Sequence, residues 1–228
     1  MKPELRRLGT GQSPVVVIDD FSGGVEAIVD IAAALAPFPA LENNYYPGLR
    51  RIISPADSAA DDYVEGMLRA LAPFIAGAFD VDGFNLLEAS FSMVTADPAE
   101  LLPPQRAPHF DTTDPKYYAV LHYLNVAPGT GTAFFRQRST GIERVTEENV
   151  DIFVRVAKRE MATLPTDTGY ILGSNPHYEQ IGAVDAVPDR LIVYQGSLLH
   201  SGIIPPGMNR SINPREGRLT ANIFVRGH

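Results

Sequence analysis

The 228-residue sequence contains no cysteine, which excludes disulfide frameworks, thiolate zinc sites, iron–sulfur clusters and a cysteine nucleophile together. Any metal must be held by histidine and carboxylate. Long hydrophobic runs are also missing. No stretch approaches the roughly 18 apolar residues of a membrane span. No apolar segment of a secretory leader follows Lys2, Arg6 and Arg7. A cytoplasmic chain with no membrane partner is the expectation. Positive charge is scarce: Lys+Arg 19 against Asp+Glu 27 gives a net charge of -8, the wrong sign for a phosphate-backbone binder, so no nucleic-acid partner is expected. Internal repeats and low-complexity runs are absent as well.

What is present is the balance of a globular protein, 45% hydrophobic and 20% charged, and 19 Gly with 19 Pro favour many short elements over a few long ones. Length alone allows one β-rich domain or two small ones. Val15 to Asp19 is a short β-branched run. Val25, Ile28, Val29, Ala32 and Leu35 then recur at helical spacing until Pro37. A second helix is expected around Asp61 to Leu71, with Pro73 ending or kinking it, and Tyr45-Tyr46-Pro47-Gly48 reads as a turn between the two. From about Asn85 the period falls towards two, with Leu87, Ala89, Phe91 and Met93 alternating against Glu88, Ser90 and Ser92.

Tyr117 to Val126 and Thr132 to Gln137, joined through Gly129-Thr130-Gly131, read as a strand pair. A helix with Thr146 as its N-cap presents Val150, Phe153, Val154, Ala157 and Met161 on one face. Arg190 to Tyr194 and Leu198 to Ile203 read as a second strand pair, and Arg218 to Val225 as the final strand. The fold class predicted is α+β, with helices covering a barrel-like double sheet.

Histidine is sparse, five residues in all: His109, His122, His177, His200 and His228. His109-Phe110-Asp111 sets a histidine and an aspartate two apart, which on extended chain places both on one face. Chance supplies about 0.3 such pairs in a chain of this composition, so the motif needs support. Part of it comes from His200, which follows the apolar run Leu198-Leu199. Two histidines and one carboxylate on one side of a metal leave the opposite positions open, as a non-haem Fe(II) site requires. In the final strand, Arg218, Thr220 and Asn222 share one face while Leu219, Ala221, Ile223 and Val225 share the other. A buried Arg218 needs a carboxylate partner. The remaining histidines read as structural: His122 beneath a helix, His177 in a loop, His228 at the terminus.

The set His109-x-Asp111, His200 and Arg218-x-Thr220 resembles the 2-oxoglutarate and Fe(II)-dependent dioxygenase superfamily, most closely its prolyl-4-hydroxylase-like branch. Tyr123-Leu124-Asn125, the glycine-rich Gly129 to Phe134 and the opening Pro14 to Phe21 extend the similarity over most of residues 14–226. The resemblance implies a double-stranded β-helix, a jelly-roll or cupin-like barrel at about 84–226, with N-terminal helices (about 14–80) packed on its major sheet. It also implies a helical insertion at about 145–162, all within one domain spanning 1–228. It implies that His109, Asp111 and His200 bind Fe(II), and that Arg218, with Tyr123 and Thr220, binds the distal carboxylate of 2-oxoglutarate. With O₂ as co-substrate, the implied activity is hydroxylation of a C–H bond of an unidentified substrate, with 2-oxoglutarate decarboxylated to succinate.

Two departures from the family pattern stand out. The usual spacing after the distal histidine selects Arg210, whereas Arg218 is preferred because it heads an alternating strand and Arg210 sits in a Pro-Gly-rich stretch. The segment Arg138 to Ile181 is longer than the usual connection, as insertions that shape substrate access often are. Two other readings compete: a cupin-like metal enzyme that does not use 2-oxoglutarate, and a non-catalytic barrel that binds a peptide or protein.

Overall fold

A computed structural model describes residues 2–40, 46–163 and 169–228. The elements run β1 (Lys2–Leu8), β2 (Ser13–Asp19), α1 (Val25–Ala34), β3 (Gly48–Ile52), α2 (Ser58–Phe79), β4 (Phe84–Val94), β5 (Tyr117–Asn125), β6 (Gly131–Gln137), α3 (Val150–Met161), β7 (Tyr178–Asp185), β8 (Leu191–Gln195), β9 (His200–Ile203) and β10 (Leu219–Gly227). Every strand pairing is antiparallel. Seven strands form one sheet in the order β1-β2-β8-β5-β10-β4-β3, and three form a second in the order β7-β6-β9. The described residues do not close these sheets into a continuous barrel, so the fold is mixed α and β, with two antiparallel sheets and helices.

Two-residue alternation divides the large sheet into two faces. One face carries Val16, Ile18, Phe91, Met93, Val120, Val193, Leu219, Ala221, Ile223 and Val225, all buried against Ile28 and Ala32 of α1 and Val64, Met67, Leu71 and Ile75 of α2. The other carries Val15, Val17, Ala119, Tyr123, Ile192 and Tyr194, which pack with Phe134 of β6 and Val184 of β7. The helices therefore cover one face while the small sheet stands over the other. Burying a large apolar side chain contributes about 1.5–3 kcal/mol, so this alternation fixes each strand's register. α3 packs Phe153 and Ala157 with Phe135 and Leu199 of the small-sheet region.

Several sequence expectations change. The Gly129-Thr130-Gly131 signal does not close a hairpin: β5 already has β8 and β10 on its two edges, and β6 pairs with β7 and β9 in the other sheet. Gly129, at φ 79°, instead turns the chain from one sheet to the other. The second predicted pair separates in the same way, with β8 between β2 and β5 and β9 beside β6.

Pro73 does not end α2, which continues to Phe79 because Phe74, Ile75, Ala78 and Phe79 pack on the core; tertiary burial outweighs the lost backbone bond. Thr146 lies one turn too early, since α3 begins at Val150 with Asn149 at its cap. Tyr45 falls outside the described residues, and Gly48 opens β3 rather than a turn. No helix among the described residues is long and apolar enough to cross a membrane.

Candidate metal and co-substrate site

Backbone pairing assembles the candidate ligands. His109 N–H donates to the His200 carbonyl and His200 N–H to that of His109, both at 2.9 Å, an isolated antiparallel bridge that stands the two rings side by side. Their centroids are 4.3 Å apart. Asp111 N–H donates to the Gly196 carbonyl at 2.7 Å. A side chain on Gly196 would press on the Tyr117 ring and Asp111 Oδ2, so glycine is what lets the carboxylate approach.

Asp111 Oδ1 lies 3.9 Å from His109 Nε2 and 3.7 Å from His200 Nε2, beyond hydrogen-bond range. One ligand atom from each residue lies within 4.8 Å of the other two, and the 3.7 and 3.9 Å carboxylate–imidazole separations are short enough for one cation to bridge with bonds of about 2.0–2.2 Å. His200 Nδ1 donates to the Leu198 carbonyl at 2.7 Å, which fixes the tautomer and leaves the Nε2 lone pair for a ligand. Tyr194 packs edge-on to the same ring at 4.8 Å.

Burial sets the charge states. It lowers His200 to about 4, and lowers His109 to about 4 with the charge of His200 adding and that of Asp111 opposing. Both rings are therefore neutral near pH 7, as metal ligands must be. Burial also raises Asp111 to about 6, against the pull of His109 and Arg50. The His109 side chain is 56% exposed, but the surface it shows lines the cavity, and surrounding protein still disfavours its charge.

These residues line a cavity of about 380 Å³, within the range of small-molecule sites. Arg218 immediately precedes β10 and lines the same cavity, with Thr220, Asn222 and Phe224 on its face of the strand. It is 6% exposed, its Nε is buried with no hydrogen-bond partner, and no carboxylate among the described residues pairs with it. Its guanidinium carbon stands 5.9 Å from the Tyr123 ring centroid.

Arg210 is placed differently: Nη2 pairs with Asp97 at 2.9 Å, and the residue is not part of the cavity wall. Tyr123 is fully buried behind the wall, its hydroxyl 2.7 Å from that of Thr132, which does line the cavity. Thr220 donates its hydroxyl to Asn222 Oδ1 at 2.8 Å. His122 packs under α2, and His177 is a loop residue.

Sequence reasoning did not single out Arg50, Tyr46, Tyr170 and Tyr194, all of which line the cavity. For Arg50 there was a signal: Ser90 and Ser92 sit on the face of β4 opposite its apolar residues, and a buried polar row needs a polar partner. Arg50 supplies it, bonding to Glu88, Ser90 and Ser92.

Two facing antiparallel sheets with a His-Asp-His group and a buried cation in the cavity between them define a candidate metal-binding protein for a small anionic ligand. Over residues 1–225 the sequence matches the family described as "Family of unknown function (DUF6445)", and the chain belongs to it. No curated protein matches it. Among solved structures it is similar to HygX from Streptomyces hygroscopicus with nickel and 2-oxoglutarate bound, at 19% identity, 94% of this chain, 83% of that one and TM-score 0.53. It is also similar to the non-heme alpha ketoglutarate dependent epimerase SnoN from nogalamycin biosynthesis, at 14% identity, 94% and 79% coverage and TM-score 0.54. A third is an oxidoreductase of the 2OG-Fe(II) oxygenase family from Burkholderia pseudomallei, at 10% identity, 94% and 84% coverage and TM-score 0.50. At these identities the likeness is one of fold.

Proposed function

We propose that the chain is an Fe(II)- and 2-oxoglutarate-dependent oxygenase that hydroxylates a C–H bond of a small substrate. In this reading the two sheets are the walls of a double-stranded β-helix, and residues 1–228 act as one unit. Bound Fe(II) would activate O₂, the oxidant, one oxygen atom going to the succinate formed with CO₂ from 2-oxoglutarate and the other to the hydroxylated substrate. His109, Asp111 and His200 hold the ion on one side, their imidazoles kept neutral by burial and His200 oriented by the Leu198 carbonyl. The donor set fits: two nitrogens and one carboxylate suit Fe(II) and leave coordination positions free for the co-substrate and O₂.

The observation that carries the reading is the lone buried Arg218. A guanidinium out of water without a counter-charge is costly, and a cavity wall that exposes one is built for an anion. Arg218 would take the distal carboxylate of 2-oxoglutarate, with Thr132 and Thr220 beside it and Tyr123 holding Thr132 from behind. A metal enzyme that acts without 2-oxoglutarate, or a peptide-binding barrel, gives Arg218 no such role. The solved structures of similar fold support the choice, since HygX holds nickel and 2-oxoglutarate.

Anaerobic titration of the protein with Fe(II) and 2-oxoglutarate tests it. The native chain should develop the weak visible charge-transfer band of the chelate, and Asp111→Ala should not. No band from the native chain overturns the proposal.

A further inference from the structure

The cavity carries a second cation that co-substrate binding does not use. Arg50 projects from β3, its side chain 13% exposed. Its Nη2 donates to Glu88 at 2.6 Å and to Ser90 Oγ at 2.8 Å, and its Nε to Ser92 Oγ at 3.4 Å. One edge of the guanidinium is thus clamped to β4. Nη1 has no acceptor among the described residues, although Arg50 lines the cavity.

The clamp also fixes where the guanidinium stands. Ser90 and Glu88 pair with Asn222 and Phe224 of β10, and the Arg50 guanidinium carbon is 6.0 Å from the Phe224 ring centroid and 5.9 Å from that of Tyr46. Arg218 lies four to six residues earlier along the same chain, roughly 13–20 Å at the backbone, with its guanidinium at Tyr123. The Phe224 ring packs on Tyr117, beside Asp111. Arg50 therefore serves the metal end of the cavity and Arg218 the far end. Glu88 does not close the Arg50 site, because it is 40% exposed, lies outside the cavity wall and is screened by solvent.

We propose that Arg50 receives a carboxylate of the primary substrate through Nη1, so that the substrate is a small organic acid held with its acidic group beside Tyr46 and Phe224. The proposal rests on the oxygenase reading above and extends it from co-substrate to substrate class. Clamping one edge of a guanidinium pre-organises the other for a charge-assisted contact at little entropic cost.

The test uses the nickel-loaded protein with saturating 2-oxoglutarate and follows binding of 4-fluorobenzoate by ¹⁹F NMR, an aromatic acid chosen for the flanking rings. The acid should bind while 2-oxoglutarate stays bound. Neutral 4-fluorobenzamide should bind at least about tenfold more weakly, and Arg50→Met should weaken the acid by at least about tenfold while still taking up 2-oxoglutarate. Glu88→Gln, which removes the competing carboxylate, should tighten it. Absence of acid binding, equal affinity for acid and amide, unchanged affinity in Arg50→Met, or displacement of 2-oxoglutarate by the acid overturns the proposal. If Arg50→Met does not fold, Glu88→Gln decides, and unchanged affinity there overturns it. A native protein that takes up no 2-oxoglutarate overturns the oxygenase reading and this proposal together; uptake of 2-oxoglutarate without the probe response overturns this proposal alone.

Discussion

A histidine–aspartate pair and a two-histidine, one-aspartate group occupy the two sides of the large sheet, and they differ in what they leave unsatisfied. On the helix-covered side His122 Nε2 is 3.0 Å from Asp189 Oδ1 and Nδ1 is 2.8 Å from the Tyr63 hydroxyl, so the fully buried ring has both nitrogens engaged. Asp189 also accepts from Ser22 N–H, Ser22 Oγ and Gly23 N–H. On the cavity side the His109 and His200 side chains converge on Asp111 at 3.7–3.9 Å, with no side-chain hydrogen bond among the three. The saturated pair holds the fold together, whereas the unsaturated group has capacity left for a ligand. Residue type does not separate the two, since both are histidine with aspartate; the spare hydrogen-bonding capacity does.

Substitutions in the two sets should therefore have opposite consequences. The largest effect is expected at Asp111→Ala, which should cut 2-oxoglutarate-dependent succinate formation at least about 100-fold, since even outer partners of metal ligands are worth 10–100-fold. Its melting temperature should stay near or above that of the metal-free native chain, because a desolvated carboxylate is removed. Asp189→Asn should do the reverse, destabilising the chain by about 1–3 kcal/mol in urea titration while leaving metal stoichiometry intact. Loss of bound metal from Asp189→Asn with unchanged stability would break the comparison.

Acid sharpens the same contrast. Burial lowers His122 below 6.5 against the pull of Asp189; burial alone would raise Asp189, but bonds from Ser22, Gly23 and His122 hold it below 3.8. Both folded values lie beneath the unfolded ones, so the unfolded chain binds more protons as pH falls. The stability these groups contribute is complete above pH 6.5 and is lost between that value and the lower folded value of His122, with a second loss beginning below 3.8 for Asp189. Melting temperatures measured from pH 7 downward should fall less steeply over the first interval in His122→Gln than in the native chain, with His109 and His200 carrying the remaining fall. The smallest effect is expected at Tyr123→Phe. Its hydroxyl reaches the cavity only through Thr132, so 2-oxoglutarate affinity should drop by less than about tenfold.

The sequence made the interior of the protein readable and its margins much less so. β2, β4, β5, β8 and β10 announced themselves by alternation because each has one face on the apolar core. The strands that escaped notice, β1, β3 and β7, all lie at sheet edges, where one row of backbone groups is unpaired and side chains carry little burial pattern.

Glycine misled twice. A Cβ on Gly48 would run into the Met93 carbonyl and one on Gly131 into that of Val184, so these residues permit close approach of neighbouring strands where a turn was expected. Missing β3 meant missing Arg50. The candidates His109, Asp111 and His200 were legible from motif spacing, and Arg218 from strand alternation alone, since spacing selects Arg210. The choice between Arg210 and Arg218 turns on ion pairing across more than a hundred residues, which spacing does not carry.

Arg218 is thus the central claim, and 2-oxoglutarate affinity of the nickel-loaded protein, measured by calorimetry, tests it most directly. Arg218→Met should lose at least about 100-fold in affinity, since a charge-assisted bidentate contact is lost. Arg210→Met, which breaks only the pair with Asp97, should bind like the native chain. Undiminished binding by Arg218→Met, or loss of binding by Arg210→Met instead, would contradict the account.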